Sequence, residues 1–291
     1  MIKPEMHVEL RESDVRHTAR VVSSRRISPE SVPEEVKELV LALHAPGIRF
    51  EAGQSIGVLA PGSPEFGNQH HLRLYTVADL PEIAGDGMTH LRICVKRCYR
   101  MDPYTGERHP GVASHYLCSR RVGDTLTVTG PYGLPFAVPE EPDANLILIG
   151  TGTGIAPFRA FVKHLHHNVP EWTGRIWLFY GAKNGLEMLY MNDEHDDFAQ
   201  YYDPETFEAF KALSPRPHWS DPIAWDLAFA ERGSALLRML EQPKTYVYVA
   251  GLEAMRNELD HAFAGFFGSP EKWARRKAEL VAGGRWVELL Y

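Results

Sequence analysis

The residues with the clearest chemistry form one short run, Gly150-Thr151-Gly152-Thr153-Gly154-Ile155-Ala156-Pro157. It follows the apolar stretch NLILIG and precedes the amphipathic stretch APFRAFVKHLHH, so it reads as a turn between a buried strand and a helix. Glycines let the backbone turn sharply and come close to a ligand, and the exposed N–H groups with the positive helix end suit a pyrophosphate. Pro157 fits the first helical turn, where its missing N–H costs nothing. In that setting the run points to a bound nucleotide. A second constellation lies upstream: Arg73-Leu74-Tyr75-Thr76, then Cys94-Val95-Lys96-Arg97, then Gly111-Val112-Ala113-Ser114. Strand alternation puts Arg73 and Tyr75 on one face, where a guanidinium can pair with a pyrophosphate and a phenol ring can lie on a planar cofactor. Taken alone, such a pair is an ordinary cross-strand neighbour.

Two kinds of element must position these groups. Up to about residue 138 the chain is a series of short apolar or alternating stretches, TARVVSSRRI, ELVLALHA, QSIGVLAP, LRLYTVAD, HLRICVKR and TLTVTGPYG, broken by Gly, Pro and Asp. That pattern predicts an antiparallel barrel or sandwich. After Glu140-Glu141-Pro142-Asp143 it changes to NLILIG, a helix, RIWLFYGAK, a longer helical and loop stretch, and KTYVYVAG. Continuous apolar strands separated by helices predict a parallel sheet covered on both faces. The expected domains are 1–140, an antiparallel β-barrel, and 141–291, an α/β nucleotide-binding domain.

Composition narrows the function. The 291 residues suffice for two ordinary domains, and 44% hydrophobic with 24% charged residues is the balance of a globular protein. A net charge of −7 argues against a nucleic-acid partner. No apolar run is long enough to span a membrane, and MIKPEMHVEL lacks the apolar core of a signal peptide, so a cytoplasmic protein is expected. Cys94, Cys98 and Cys118 lack the spacing of an iron–sulfur site, and the histidines at 70, 71, 164, 166 and 167 lack companion ligands, so no metal is expected. Redox chemistry would therefore need an organic cofactor. Basic clusters such as Arg25-Arg26, Arg120-Arg121 and Arg275-Arg276-Lys277 could face anionic cofactors or an acidic protein, or simply water.

Taken together, RLYTVA (73–78), CVKR (94–97), GVASHYLC (111–118), GDTLTVTGPYG (123–133), GTGTGIAPFRAF (150–161), TYVYVAGLEAM (245–255) and a terminal aromatic after RWVELL resemble the ferredoxin–NADP reductase family. The likeness is to the plant-type enzymes and to reductase modules of bacterial aryl-CoA epoxidases, and it runs from about residue 16 to the end. It implies FAD in the first domain and NADP or NAD in the second. On this likeness Arg73 meets the FAD pyrophosphate, Tyr75 stacks on the isoalloxazine and Thr76 stands where a Ser hydrogen-bonds flavin N5. Leu74, Cys94, Val95 and Lys96 lie along the FAD, with Lys96 near the adenosine half. Gly111, Val112, Ala113 and Ser114 form the turn at the diphosphate. Tyr291 covers the other flavin face and Thr153 lies near it. The same likeness assigns Gly152, Thr153, Gly154, Ala156, Pro157, Ser214, Arg216, Asp226, Gly251, Leu252 and Met255 to the nicotinamide nucleotide, and catalytic roles to Thr76 and Tyr291.

The chain departs from the family at several of these places. A family Cys is Ala250, and a Glu two residues before the terminal aromatic is Leu289, with Glu288 one position earlier. A one-residue shift on a strand turns a side chain to the opposite face, so Glu288 is not expected to serve in its stead. The Ser-Arg pair that would hold a 2′-phosphate reads Ser214-Pro215-Arg216, the following Tyr position is Ala224, and Asp226 would favour the free 2′-hydroxyl of NADH. The resemblance implies electron transfer between NAD(P)H and a one-electron carrier, ferredoxin or flavodoxin. The alternatives are a reductase component serving an oxygenase or epoxidase, and a nucleotide-sensing relative without turnover.

Overall fold

The computed structural model describes residues 15–44, 47–62, 70–133, 136–192, 195–203, 205–219 and 221–291. The N-terminal decapeptide read above for a signal sequence lies outside the described residues. The chain divides into two compact units, residues 1–134 and 135–291. The compositional switch at 139–143 lies in the second unit, ahead of its first strand.

The first unit contains strands β1 (Arg16–Arg26), β2 (Val36–Leu43), β3 (Ser55–Pro61), β4 (His70–Thr76), β5 (Glu82–Ile83), β6 (Thr89–Lys96), β7 (Tyr99–Met101), β8 (Arg108–Pro110) and β9 (Thr125–Tyr132), with one helix, α1 (Val112–Cys118). Seven strands pair antiparallel in the order β4-β3-β9-β1-β2-β6-β5, and β7 with β8 forms a separate hairpin. The sheet closes on itself just past β4, where Val77 bridges Ile93 and the Ala78 N–H donates to the Arg92 carbonyl. The result is a six-stranded barrel with β5 as an appendage. Its interior is set by period-two alternation: Ala19 and Val21, Leu39, Leu41 and Leu43, Ile56 and Val58, Leu91, Ile93 and Val95, and Leu126 with Val128 form one buried cluster. Each such Val, Leu or Ile side chain withdrawn from water contributes about 1.5–3 kcal/mol, which is what holds the register.

The second unit contains five parallel strands, β10 (Asn145–Thr151), β11 (Ile176–Ala182), β12 (Phe207–Leu213), β13 (Thr245–Gly251) and β14 (Trp286–Leu290), in the order β12-β11-β10-β13-β14. Helices α2 (Ile155–Asn168), α3 (Trp225–Ala230), α4 (Gly233–Glu241), α5 (Met255–Phe266) and α6 (Pro270–Ala282) connect them. Every residue of β11 is buried, as a central strand covered on both faces requires. One strand runs against the sequence pattern. FEAFKAL in β12 is rich in helix formers and was expected within a helical and loop stretch, but pairing along its whole length with β11 makes it a strand. Ser269 caps α6 by accepting the Lys272 N–H at 3.2 Å, which aims Trp273 onto Phe263 with ring centroids 4.5 Å apart. Among the described residues no helix is long and apolar enough to cross a membrane.

Candidate functional site

In the first unit the expected turn at 111–114 is the start of a helix. Gly111 precedes α1 in an extended conformation, and a Cβ there would lie 2.8 Å from the Ser114 Oγ. That hydroxyl accepts the Cys98 N–H at 3.1 Å and donates to the Gly111 carbonyl at 3.2 Å. Buried Leu117 and Cys118 pack α1 against β3, β4 and β6, and Lys37 Nζ donates to the Cys118 carbonyl at 2.8 Å. The end of α1 and the Tyr75 ring of β4 therefore come together.

On β4, Arg73 pairs with Val58 and Tyr75 with Ile56 across the ladder. Tyr75 packs against the barrel core while Arg73 stays exposed. Burial lifts the Tyr75 phenol above its ordinary range, with Cys118 and Cys98 adding to it and the Arg73 charge opposing, so the ring is neutral near pH 7. Thr76 Oγ1 is 3.3 Å from Ser55 Oγ. Cys94 and Val95 are buried and Lys96 is exposed. Among the described residues no carboxylate pairs with Arg73 or Lys96. Neighbouring cations differ: Arg97 is held by Glu35, and Arg92 lies 3.2 Å from Asp79 and 3.5 Å from Glu38. An uncommitted Arg73 two residues along the strand from a neutral, largely buried phenol suits a diphosphate that carries a flat ring system, as FAD does. Burial also pushes the Cys118 thiol up to about 11, so it is no nucleophile.

In the second unit β10 ends in a single 3-10 turn, Gly152–Gly154, that runs directly into α2. Two of its glycines are needed for different reasons. Gly152 has φ +52°, and a Cβ on Gly154 would lie 2.2 Å from the Ala250 carbonyl oxygen, because the turn rests on the end of β13. Thr151 Oγ1 contacts Met255 Sδ at 2.8 Å, tying the end of β10 to the start of α5. The Tyr180 hydroxyl donates to the Gly152 carbonyl at 2.8 Å and accepts the Leu189 N–H at 3.2 Å. Ala156 and Pro157 are buried, so they pack the turn, whereas Leu252 is exposed. The strand order reverses at β10, and the crevice outside the carboxyl ends of β10 and β13 is where open α/β sheets bind ligands.

Tyr291 is docked at this crevice. Its N–H donates to the Gly251 carbonyl at 3.0 Å, its carbonyl accepts the Glu253 N–H at 3.2 Å, and its hydroxyl lies 2.5 Å from Thr153 Oγ1. The ring is still 60% exposed. Glu288 faces away, as its strand parity predicts. It accepts from Arg256 Nε at 2.8 Å and Trp286 Nε1 at 2.7 Å and lies 3.3 Å from Lys277 Nζ. Burial alone would raise its pKa, but the bonds from Trp286 and Arg256 and the Lys277 charge hold the carboxyl below its ordinary value. It is a strut between β14, α5 and α6.

The residues after β12 are separate from the glycine turn. Ser214 is buried and its hydroxyl donates to the Asp221 carbonyl at 2.9 Å. Arg216 Nε donates to Asp221 Oδ2 at 2.8 Å, and Asp226 is exposed in the first turn of α3. Beside them opens a cavity of about 420 Å³ lined by Asn184, Gly185, Leu186, Asn192, Lys211, Pro217 and His218. No sequence signal marked it, since its walls come from three separate segments.

The geometry defines a nucleotide-binding α/β unit following a barrel, and the comparisons agree. Residues 148–261 match the oxidoreductase NAD-binding domain family. The ferredoxin–NADP reductase of Spirulina sp. is 30% identical over 279 residues, covering 93% of each chain. The chloroplastic leaf isozyme 1 of ferredoxin–NADP reductase from Oryza sativa subsp. indica is 32% identical, covering 94% of this chain and 76% of its own length. The Synechocystis relative is longer, and the chain spans 66% of it at 31% identity. Among solved structures, ferredoxin–NADP+ reductase from Plasmodium falciparum superposes with a TM-score of 0.66 over 98% of both chains, at 20% identity, a likeness of fold. The chain belongs to the ferredoxin–NADP reductase family of oxidoreductases.

Proposed function

We propose that this protein is an FAD-dependent oxidoreductase that transfers electrons between a nicotinamide nucleotide and a one-electron carrier of the ferredoxin kind. The observation that carries this reading is the exposed, uncommitted Arg73 beside the partly buried, neutral phenol of Tyr75. A bound flavin supplies the redox chemistry, accepting two electrons as hydride and releasing them singly. The chain's own residues bind and orient. Arg73 and Lys96 neutralise a diphosphate, with Leu74, Cys94, Val95, Gly111, Val112, Ala113 and Ser114 shaping the cleft around it. The Tyr75 ring would stack on the isoalloxazine, and the Thr76 hydroxyl, 3.3 Å from Ser55 Oγ, would exchange a hydrogen bond with it. The amides of Gly152, Thr153 and Gly154 offer donors to the nucleotide's pyrophosphate, backed by Ala156 and Pro157. Gly251, Leu252 and Met255 border the nicotinamide end, where the Tyr291 ring must move aside. Ser214, Arg216 and Asp226 border the adenosine end. Hydride transfer needs mainly the alignment of two rings, so Ala250 and the engaged Glu288 are compatible with turnover.

A ferredoxin is the favoured partner because the relatives named above are ferredoxin–NADP reductases; a flavodoxin or an oxygenase component is the alternative carrier. Cys94, Cys98 and Cys118 form no disulfide among the described residues, which supports a reducing, cytoplasmic setting. The purified protein should be yellow, carry one FAD and reduce ferricyanide with NADH or NADPH. A preparation that takes up no FAD would overturn the reading. A protein that binds FAD and nucleotide without turnover would instead be a sensing relative, which the engagement of Glu288 would then explain.

A further inference from the structure

The end of β12 offers two groups that a nucleotide 2′-phosphate could use, and one residue engages both. The buried Ser214 hydroxyl donates to the Asp221 backbone carbonyl, and the Arg216 guanidinium meets the Asp221 carboxylate at 2.8 Å through Nε and 3.5 Å through Nη2. These groups sit at the carboxyl edge of the sheet, two strands from the glycine turn. At about 4.8 Å per strand that is roughly 10 Å, the reach of an adenosine ribose from a pyrophosphate held at Gly152–Gly154. The Arg216 side chain is 69% exposed, so its ion pair is weak and a phosphate could draw it away. The Asp221 side chain is only 22% exposed and its backbone is tied to Ser214, so it moves less readily than its partner. A phosphate that captured Arg216 would be left facing an uncompensated carboxylate. The exposed Asp226 adds a second negative charge. Two other cations lie on this edge: Lys211, in the wall of the adjoining cavity, and exposed Lys183, which follows Ala182, the residue whose carbonyl accepts the Ser214 N–H.

We propose that Asp221 is a specificity-determining residue that sets this edge against a 2′-phosphate and in favour of a free 2′-hydroxyl, so that the nucleotide is NADH. The inference rests on the nucleotide reading above, and its test reads binding rather than turnover. The purified holoprotein is titrated calorimetrically with AMP and with adenosine 2′,5′-bisphosphate. The wild type binds AMP at least as tightly as the bisphosphate. Asp221→Asn keeps the backbone carbonyl that Ser214 uses but removes the charge, and it strengthens bisphosphate binding relative to AMP by about ten- to a hundred-fold. The gain shrinks as salt is raised and disappears when Arg216→Ala is added. Asp221→Glu, which keeps the charge, retains the wild-type ratio, and Asp221→Ser reproduces the shift should the amide disturb the loop. A wild type that binds the bisphosphate more than ten-fold tighter than AMP, or an unchanged ratio in both neutral variants, overturns the proposal. Binding of neither ligand by the wild type would remove the nucleotide site itself and, with it, the reading on which this inference depends.

Discussion

The hydrogen bond between the Thr153 and Tyr291 hydroxyls joins the glycine turn to the last residue of the chain, and its contribution can be isolated. Tyr291→Phe keeps the ring and both backbone bonds, to Gly251 and from Glu253, and removes the hydroxyl that forms the latch. A neutral hydrogen bond contributes about 0.5–1.5 kcal/mol net. With the ring 60% exposed, water competes for the hydroxyl and the lower half of that range applies, about 0.5–1 kcal/mol. If the latched ring must move before a nucleotide reaches the crevice, its loss tightens binding of oxidised nucleotide by roughly two- to five-fold. The assay is a spectral titration of purified flavoprotein for the wild type, Tyr291→Phe, Thr153→Ala and the double variant. Any direct contact of Thr153 with the nucleotide appears in its single variant and cancels in the cycle, leaving a coupling of about 0.5–1 kcal/mol. Additivity of the two changes within about 0.3 kcal/mol would refute the latch and the competition built on it.

Three further outcomes are expected. Arg73→Ala removes a charge-assisted contact of about 1.5–3 kcal/mol, so FAD retention after dialysis should fall ten- to a hundred-fold, and equal flavin content would sink the assignment of Arg73. Gly154→Ala would put a Cβ 2.2 Å from the Ala250 carbonyl oxygen, between two backbone segments, and should cost about 1–3 kcal/mol by urea unfolding, whereas Gly265→Ala in open space on α5 should cost nothing. Glu288 has a folded-state pKa below its ordinary 4.5, so its ion pairs stabilise the fold above that pH and are lost as pH falls through the lowered value. The stability advantage of wild type over Glu288→Gln should therefore be full near pH 7 and shrink below about pH 4.5; an advantage independent of pH would show that the carboxylate's charge is not what holds β14.

Features confined to a few consecutive residues were legible before any fold was known. The glycine turn between NLILIG and APFRAF needs only local geometry, and Glu288 could be turned away from Tyr291 by strand parity alone. The alternating strands likewise announced an antiparallel unit ahead of a parallel one. Features that depend on partners far along the chain were not legible. FEAFKAL has the composition of a helix and became β12 because a full ladder with β11 outweighs propensities of a few tenths of a kcal/mol per residue. GVASHYLC became a helix because Leu117 and Cys118 have a barrel to pack against. The barrel closes through Val77 and Ile93, and Glu288 finds its cations on α5 and α6. Arg216 reads in sequence as a ready cation for a phosphate. The loop that follows β12 brings Asp221 back onto it and onto Ser214, and only that return of the chain decides which charge the edge presents.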